Sequence, residues 1–442
     1  MSGFSSIDDA LAWLDDHIDF ERVAPTRRAL PSLEGMHGAL GILGEPQRDI
    51  RTIHVTGTNG KGSTSAIIAA LLLEAGLRVG TYTSPNVHLV NERIAVNGQM
   101  IPDGTLRDLL GRLADAEASF PVALTRFEIL TLAALVHFAD EAVDVAVVEV
   151  GIGGTWDSTN VLGAEVAVIT TVALDHTQVL GNTPAEIARD KAGIVSPGSV
   201  VVIGDLDDEL VAIVTEVAEG VAAERIEVFG RDFGIKANAL AVGGRMVELF
   251  ATGTSYSEVM VPLHGAHQGR NAAVAVAAAN AFLGFSLGED VIDAGLAEVR
   301  VPGRLEVLGR KPLVMVDGAH NPAGARVLAA SLVEGFNVDG PRVAILGMLE
   351  GRDPAAMLEP LVSVGFSRLV IVEPVSPRAM SAKKIEGAAT RLGIETLVRT
   401  DIAQACAEAL STVGEDGMVL ATGSLYVVGP ARLALRELLA NR

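Results

Sequence analysis

The sequence predicts an α/β fold: a parallel sheet with a small antiparallel patch, then a second, Rossmann-like α/β unit. Three observations lead there. Short apolar runs alternate with helical patterns almost throughout the 442 residues, and strands alternating with helices build doubly wound parallel sheets. Hydrophobic residues make up 49% of the chain but aromatics only 4%, so the apolar mass is Ala, Val, Leu and Ile, as in strands buried on both faces. The rhythm breaks once, over residues 225–263, and a second series begins after VPGR (301–304).

In chain order, RTIHVTG (51–57) reads as a strand and STSAIIAALLLEAG (63–76) as a helix closed by Gly76. RVGTYTS (78–84) is the next strand, and TRFEILTLAALVHFADE (125–141) is apolar at helical spacing. VDVAVVEVG (143–151) and AEVAVITTVALDH (164–176) read as fully buried parallel strands. TPAEIARDKAGI (183–194) is a short helix with a Thr cap and Pro at its first position. Within the break, RIEVFG, ANALAV, MVELFA and EVMVPL form the antiparallel patch, and HQGRNAAVAVAAANAFLG (267–284) follows as a helix. Beyond VPGR, the runs LVMVDGAH, RVAILGML, RLVIVEP, ETLVRT and MVLATGS are strand-like, with helical patterns between them. They make a unit of about 140 residues, an ordinary domain size. The expected boundary is Pro302-Gly303, giving domains 1–302 and 303–442.

The formal charge of -21 disfavours nucleic acid and anionic membranes as partners. Anionic ligands must then be met by local cations, metal ions or backbone N–H groups. The single cysteine, Cys406, excludes an internal disulfide and a cysteine zinc site. The acidic start MSGFSSIDDALAWLDDH lacks the regions of a signal peptide, and runs such as VDVAVVEVGIGG are too short to span a bilayer. A cytoplasmic, monomeric protein is expected.

The stretch VTGTNGKGST (55–64) places one cation, Lys61, among glycines between a strand and a helix. N–H groups at such a helix start point outward, and the helix dipole favours an anion there. Lys61 supplies charge for β- and γ-phosphates, and Ser63 or Thr64 a hydroxyl for Mg²⁺. The spacing departs from the common G-x-x-x-x-G-K-[ST]: position 55 is Val, and Gly62 separates Lys61 from Ser63. The competing reading is a plain turn with a stray lysine. The phosphate-loop reading makes the first domain an ATPase-type domain.

TGTNGKGST resembles the ATP loop of the Mur-ligase superfamily. SPNVHLVNERIAVNG (84–98), EVGIGGTWDSTN (149–160), LDHTQVLGNTPAEIARDKAGI (174–194), HQGRNAA (267–273), PGRLE (302–306), DGAHNPAGA (317–325) and TGSLYVVG (422–429) narrow the likeness. In this order and spacing they resemble the folylpolyglutamate synthase and dihydrofolate synthase family. Two stretches depart from it. Thr155-Trp156 stands where the family often has Arg-Leu, and GMLEGRDP (347–354) where A-D-K-D is more usual.

The resemblance implies roles for single residues. Thr58, Asn59, Gly60, Lys61, Gly62, Ser63 and Thr64 cradle the ATP phosphates. Glu149, at a strand's C-terminal end, is by itself either a metal ligand or a salt-bridged strand end; the family makes it a Mg²⁺ ligand together with Ser84. His176 alone reads as structural, and Lys191 as a solvated lysine or a partner of Asp190. The family makes both ligands of a second Mg²⁺, with Lys191 carbamylated by CO₂. Asn271 and Arg304 become adenine-side and phosphate-side contacts, and Asp317 a ribose or hinge-side contact. His320 and Ser424 hold incoming L-glutamate. Lys61, His176, Lys191 and His320 are the catalytic set. Phe127 and Glu128 match a T-x-F-E stretch, although a core helix explains Phe127 equally well.

The expected activity is an ATP-dependent amide ligase. ATP phosphorylates a carboxylate on a pterin or folate substrate, and the α-amine of L-glutamate attacks the acyl phosphate. Dihydropteroate, reduced folate or both remain open as acceptors. The alternatives are a Mur-type ligase with another carboxylate acceptor, and a phosphate-loop kinase or NTPase that makes no amide.

Overall fold

The computed structural model describes residues 3–23 and 33–441. The chain forms two compact units, one of Met1–Ala239, Met246–Pro262 and Gln268–Val299, the other of Leu240–Arg245, Leu263–His267 and Arg300–Arg442.

Unit 1 is built on eight strands: β1 Thr52–Thr56, β2 Val79–Tyr82, β3 Ile94–Val96, β4 Gln99–Met100, β5 Val145–Glu149, β6 Val166–Ile169, β7 Val200–Ile203 and β8 Arg225–Val228. Their order is β4-β3-β2-β5-β1-β6-β7-β8. Six are parallel, while β3 and β4 run antiparallel at one edge. Every residue of β1, β5, β6 and β7 is buried, as the uninterrupted apolar runs require of strands covered on both faces. The helix Arg126–Asp140 covers one face. Thr125 caps it by accepting from the Glu128 N–H at 3.2 Å, while Glu128 accepts from the Thr125 N–H at 2.7 Å. Glu128 is thus a capping residue. Phe127 packs against the core beside Tyr82. The helix Pro184–Lys191 has the expected Thr183 cap and first-turn proline.

Two expectations need correcting. RIEVFG belongs to β8, a parallel edge strand of the main sheet. The antiparallel sheet is three strands, β9 Gly234–Ala241, β10 Gly244–Ala251 and β11 Thr254–Val261, ordered β11-β10-β9. AEVAVITTVALDH is a strand only over Val166–Ile169, and its second half is a loop that leaves the sheet.

Unit 2 holds β12 Glu306–Arg310, β13 Leu313–Val316, β14 Arg342–Leu346, β15 Arg368–Ile371, β16 Glu395–Val398 and β17 Met418–Thr422, ordered β12-β13-β17-β14-β15-β16. The five expected strands are present and parallel. β12, inside PGRLEVLGR, adds an antiparallel edge. Separate apolar clusters line the two faces of this sheet. Among the described residues no helix is long and apolar enough to cross a membrane.

Candidate active site

Four neighbouring parallel strands of unit 1, β2, β5, β1 and β6, end along one edge of the sheet. Ligands of open α/β sheets bind outside such carboxyl ends, where the chain reverses its direction across the sheet. β5 and β6 lie on opposite sides of β1, with Val55 beside Glu149 and Thr56 beside Ile169. The edge thus collects Ser84 after β2, Glu149 at the end of β5, the glycine loop after β1, and residues 170–176 after β6.

The loop is tied at each peptide. Thr58 N–H donates to Thr171 O at 2.7 Å, and Asn59 N–H to Thr171 Oγ1 at 3.0 Å. Asn59 O accepts from Thr170 Oγ1 at 2.8 Å and Thr171 Oγ1 at 2.9 Å. Gly60 adopts φ 89°, and a Cβ there would lie 2.7 Å from Asn271 Oδ1, so only glycine suits both the conformation and the space. The helix begins at Lys61, earlier than expected, and runs to Glu74. The Lys61, Gly62 and Ser63 N–H groups therefore occupy the first turn, where no intrahelical acceptor exists. Lys61 Nζ donates back to Gly57 O at 3.1 Å. Asn271 donates to Gln268 Oε1 at 2.9 Å, and Gln268 Nε2 lies 3.4 Å from Ser63 Oγ. Asn271 thus stands against the phosphate loop. Gln268, which sequence reasoning did not single out, lies within HQGRNAA and links the two.

Glu149 is buried, and its Oε2 accepts from the Ser84 N–H at 3.3 Å. A Cβ on Gly62 would lie 3.6 Å from the same oxygen, which places the carboxylate against the loop's helix start. Thr64 Oγ1 is buried with no hydrogen-bond partner. Mg²⁺ takes oxygen ligands, commonly one or two carboxylates completed by phosphates and water. Glu149 and Ser84 fit that chemistry. Among the described residues no three His, Cys, Asp or Glu side chains converge as a ready-made metal cluster.

A hydrogen-bonded bracket joins β1 to the helix that carries Lys191. Thr56 Oγ1 donates to Gly153 O at 2.6 Å. Thr155 donates to Asp190 O through both its N–H and its Oγ1, each at 3.0 Å. A Cβ on Gly154 would lie 2.6 Å from Asp190 O and 2.7 Å from Lys191 O, so the loop and the helix end meet backbone to backbone. Thr155, one of the two departures from the family pattern, has this anchoring role here; Trp156 is exposed. Deeper in, Asp157 accepts from the Ile152 N–H and from Thr159. The Thr159 hydroxyl proton goes to Asp157, so His54 donates from Nε2 to Thr159 Oγ1 at 2.7 Å. Burial pushes His54 down to about 3, which keeps it neutral. Burial also raises Asp157 above the usual carboxylate range.

Lys191 is only 3% exposed. Burial, and then the charge of Lys61, push its ammonium down to about 7, against the opposing pull of Asp190, Asp175 and Asp157. The amine is therefore neutral in much of the population near neutral pH. An unmodified ammonium would repel a cation, whereas a carbamate on that amine would offer it oxygen ligands. His176 adopts the left-handed conformation, φ 48°, with Asp175 Oδ1 3.9 Å from its Nε2.

In unit 2, Asp317, His320 and Ser424 follow the carboxyl ends of neighbouring strands β13 and β17. Asp317 is held by backbone donors: Leu305 N–H to Oδ2 and Ala319 N–H to Oδ1, both at 2.8 Å. Burial raises its pKa, opposed by Arg304. His320 Nδ1 donates to Gly318 O at 2.8 Å, leaving Nε2 unprotonated in the neutral ring. Ser424 caps the helix Leu425–Ala440 by accepting from the Tyr426 N–H at 3.2 Å. Arg304 lies over Gly318, where a Cβ would stand 2.5 Å from its Nη1.

The Mur ligase middle domain family matches residues 55–279, and the Mur ligase glutamate ligase domain family matches residues 303–425. The chain is 38% identical over 387 residues to a dihydrofolate synthase/folylpolyglutamate synthase of Mycobacterium tuberculosis, covering 83% of this chain and 79% of that protein. It is 38% identical over 406 residues to a folylpolyglutamate synthase of Lacticaseibacillus casei, covering 90% and 92%. Among solved structures, Mycobacterium tuberculosis folylpolyglutamate synthase complexed with ADP superposes with a TM-score of 0.88 at 34% identity, over 98% of both chains. E. coli FolC in complex with DHPP and ADP superposes at 0.84 and 29% identity, over 99% of this chain and 98% of that one.

Proposed function

We propose a reaction from one premise: the chain belongs to the Mur ligases and, among them, to the folylpolyglutamate synthase/dihydrofolate synthase family. It is an ATP-dependent ligase that adds glutamate to a folate-type carboxylate. The observation that best supports the chemistry is the buried Lys191, held near neutral charge beside Lys61 at the sheet edge that carries the glycine loop.

The loop N–H groups and Lys61 take the ATP phosphates and stabilise charge developing on the transferred phosphoryl. An acceptor carboxylate oxygen bonds to the γ-phosphorus as the bond to the β-γ bridging oxygen breaks, releasing ADP. The neutral α-amine of L-glutamate then attacks the acyl carbon. The new C–N bond expels phosphate, and the amine loses its proton. Activation is needed because a carboxylate is a poor electrophile. His320 and Ser424 hold the amino acid; Arg304 meets phosphate, Asp317 the ribose side, and Asn271 the nucleotide at the loop. Ser84 and Glu149 would hold one Mg²⁺, and His176 and Lys191 a second, which when bound would offset the charges of triphosphate and carboxylate. Lys191 acts there as a carbamate: its neutral amine adds to CO₂ and loses a proton. We place the enzyme in the cytoplasm as a monomer of two domains, 1–302 and 303–442.

The test is ADP formation with ATP, Mg²⁺ and L-glutamate, supplying dihydropteroate and tetrahydrofolate in turn. ADP should appear only when acceptor and amino acid are both present. Equal release without amino acid would mean an NTPase that makes no amide. Lys61→Ala should keep the melting temperature and lose on the order of 10²-fold or more in turnover; near-normal turnover would remove the loop from the mechanism.

A further inference from the structure

We propose that Glu306 is a positioning residue for Arg304, holding in shape the turn that aims the Arg304 guanidinium. The proposal rests on the reading that Arg304 meets the ATP phosphates.

The turn is an unfavourable one. Gly303 has φ 71°, and Leu305, buried at 2% exposure, has φ 41°. A non-glycine residue in the left-handed region is strained and persists only where its surroundings hold it. Arg304, between the two, closes the turn with its N–H on Val301 O at 3.2 Å. Two ties come from the loop after β13: the Gly318 N–H donates to Gly303 O at 2.8 Å, and the Leu305 N–H to Asp317 Oδ2 at 2.8 Å. The third comes from Glu306, whose Oε2 accepts from the Gly303 N–H at 2.9 Å.

Glu306 is itself clamped. Arg432 donates from Nε to Oε2 at 2.8 Å and to Oε1 at 3.0 Å, and from Nη2 to Oε1 at 2.9 Å. Arg436 Nη2 adds a bond to Oε1 at 2.9 Å. The Glu306 and Arg432 side chains are only 18% and 14% exposed, unlike an ordinary surface pair. A carboxylate that served only as an ion-pair partner would need no bond to the Gly303 backbone. Here both functions meet in one group, so the fork on Arg432 sets where the turn's N–H must point. Arg432 stands on the helix Leu425–Ala440, which Ser424 caps. The turn bearing Arg304 and the helix start bearing Ser424 are therefore parts of one braced assembly within unit 2.

The experiment is a double-mutant cycle on kcat/KM for ATP. Glu306→Gln keeps the shape but presents an amide to donors on every side. It should lower kcat/KM for ATP about tenfold, a coupling of ordinary size for contacting residues. In an Arg304→Ala background the same change should add no more than about twofold, because its effect passes through Arg304. Melting temperatures are recorded for each variant, and assays run well below them. Should Glu306→Gln fail to fold, Arg432→Lys, which keeps charge but loses the fork, enters the same cycle with the same expectation. Full additivity with Arg304→Ala, or an unchanged kcat/KM in the single variant, overturns the positioning role while leaving Arg304's own role intact. Unchanged kinetics of Arg304→Ala would instead remove the Arg304 reading and this proposal with it.

Discussion

A lysine in RDKAGI looks like a solvated helix residue, and only the resemblance gave Lys191 a role in advance. Its burial depends on a loop 35 residues earlier, since Thr155 grips Asp190 O, and no local pattern encodes that contact. The consequence can be measured. Burial holds the folded ammonium down at about 7, against 10.5 for an ordinary lysine. Below pH 7 the lysine is charged in folded and unfolded chains alike. Between about 7 and 10.5 only the unfolded chain holds the proton, so this term of stability rises with pH across that window. The neutral amine that reacts with CO₂ follows the folded value. Its population should climb about tenfold per pH unit up to pH 7 and level off above. At fixed dissolved CO₂ labelled with carbon-13, the carbamate carbonyl signal should follow that curve and vanish in Lys191→Ala, along with most activity. A folded wild-type protein at pH 8 showing no carbamate signal would sink the modification.

Elements were legible where they are buried on both faces. β1, β5 and the unit 2 strands β13, β14, β15 and β17 announce themselves as apolar runs, and the Thr183 cap with its proline marks a helix start. Edges were less legible, although the partly exposed edge strand β16 was read from ETLVRT. β8 is an edge strand whose residues RIEV alternate charged and apolar, and the same alternation describes an antiparallel strand. β12 was hidden because GRLEVLGR mixes charge and glycine along an edge. The paired glycines of EVGIGG stand out in the sequence, yet the need for Gly154 appears only in three dimensions. A Cβ there would meet Asp190 O, Lys191 O and Lys191 Cα, all within 2.9 Å and all backbone. The helix end must therefore shift. Gly154→Ala should destabilise by roughly 1–3 kcal/mol and, by displacing Lys191, reduce carbamate formation. Gly163→Ala, with nothing within 4 Å of the added carbon, is the control and should leave both unchanged. Equal melting curves and carbamate signals for the two variants would mean that the bracket is soft and does not place Lys191.

At the scale of the whole molecule, a net charge of -21 faces substrates that are themselves anions. The cations available at the site are local: Lys61 on the loop, with Lys191 only partly charged near pH 7. Repulsion from the whole surface reaches about 30 Å at 10 mM salt and about 8 Å at 150 mM. A short-range loop of N–H groups works at contact and is screened far less. The two effects therefore separate with ionic strength. For a fluorescent ADP analogue at constant free Mg²⁺, the association rate constant should rise as monovalent salt goes from roughly 10 to 150 mM, because screening removes the long-range barrier first. Dissociation, governed by contacts at the loop, should change less. An enzyme that steers its ligand by a positive funnel shows the opposite sign, with association falling steeply as salt increases. That opposite sign here would mean that the field over the sheet edge is positive despite the overall charge. The long-range capture of nucleotide would then have to be assigned to cations other than Lys61.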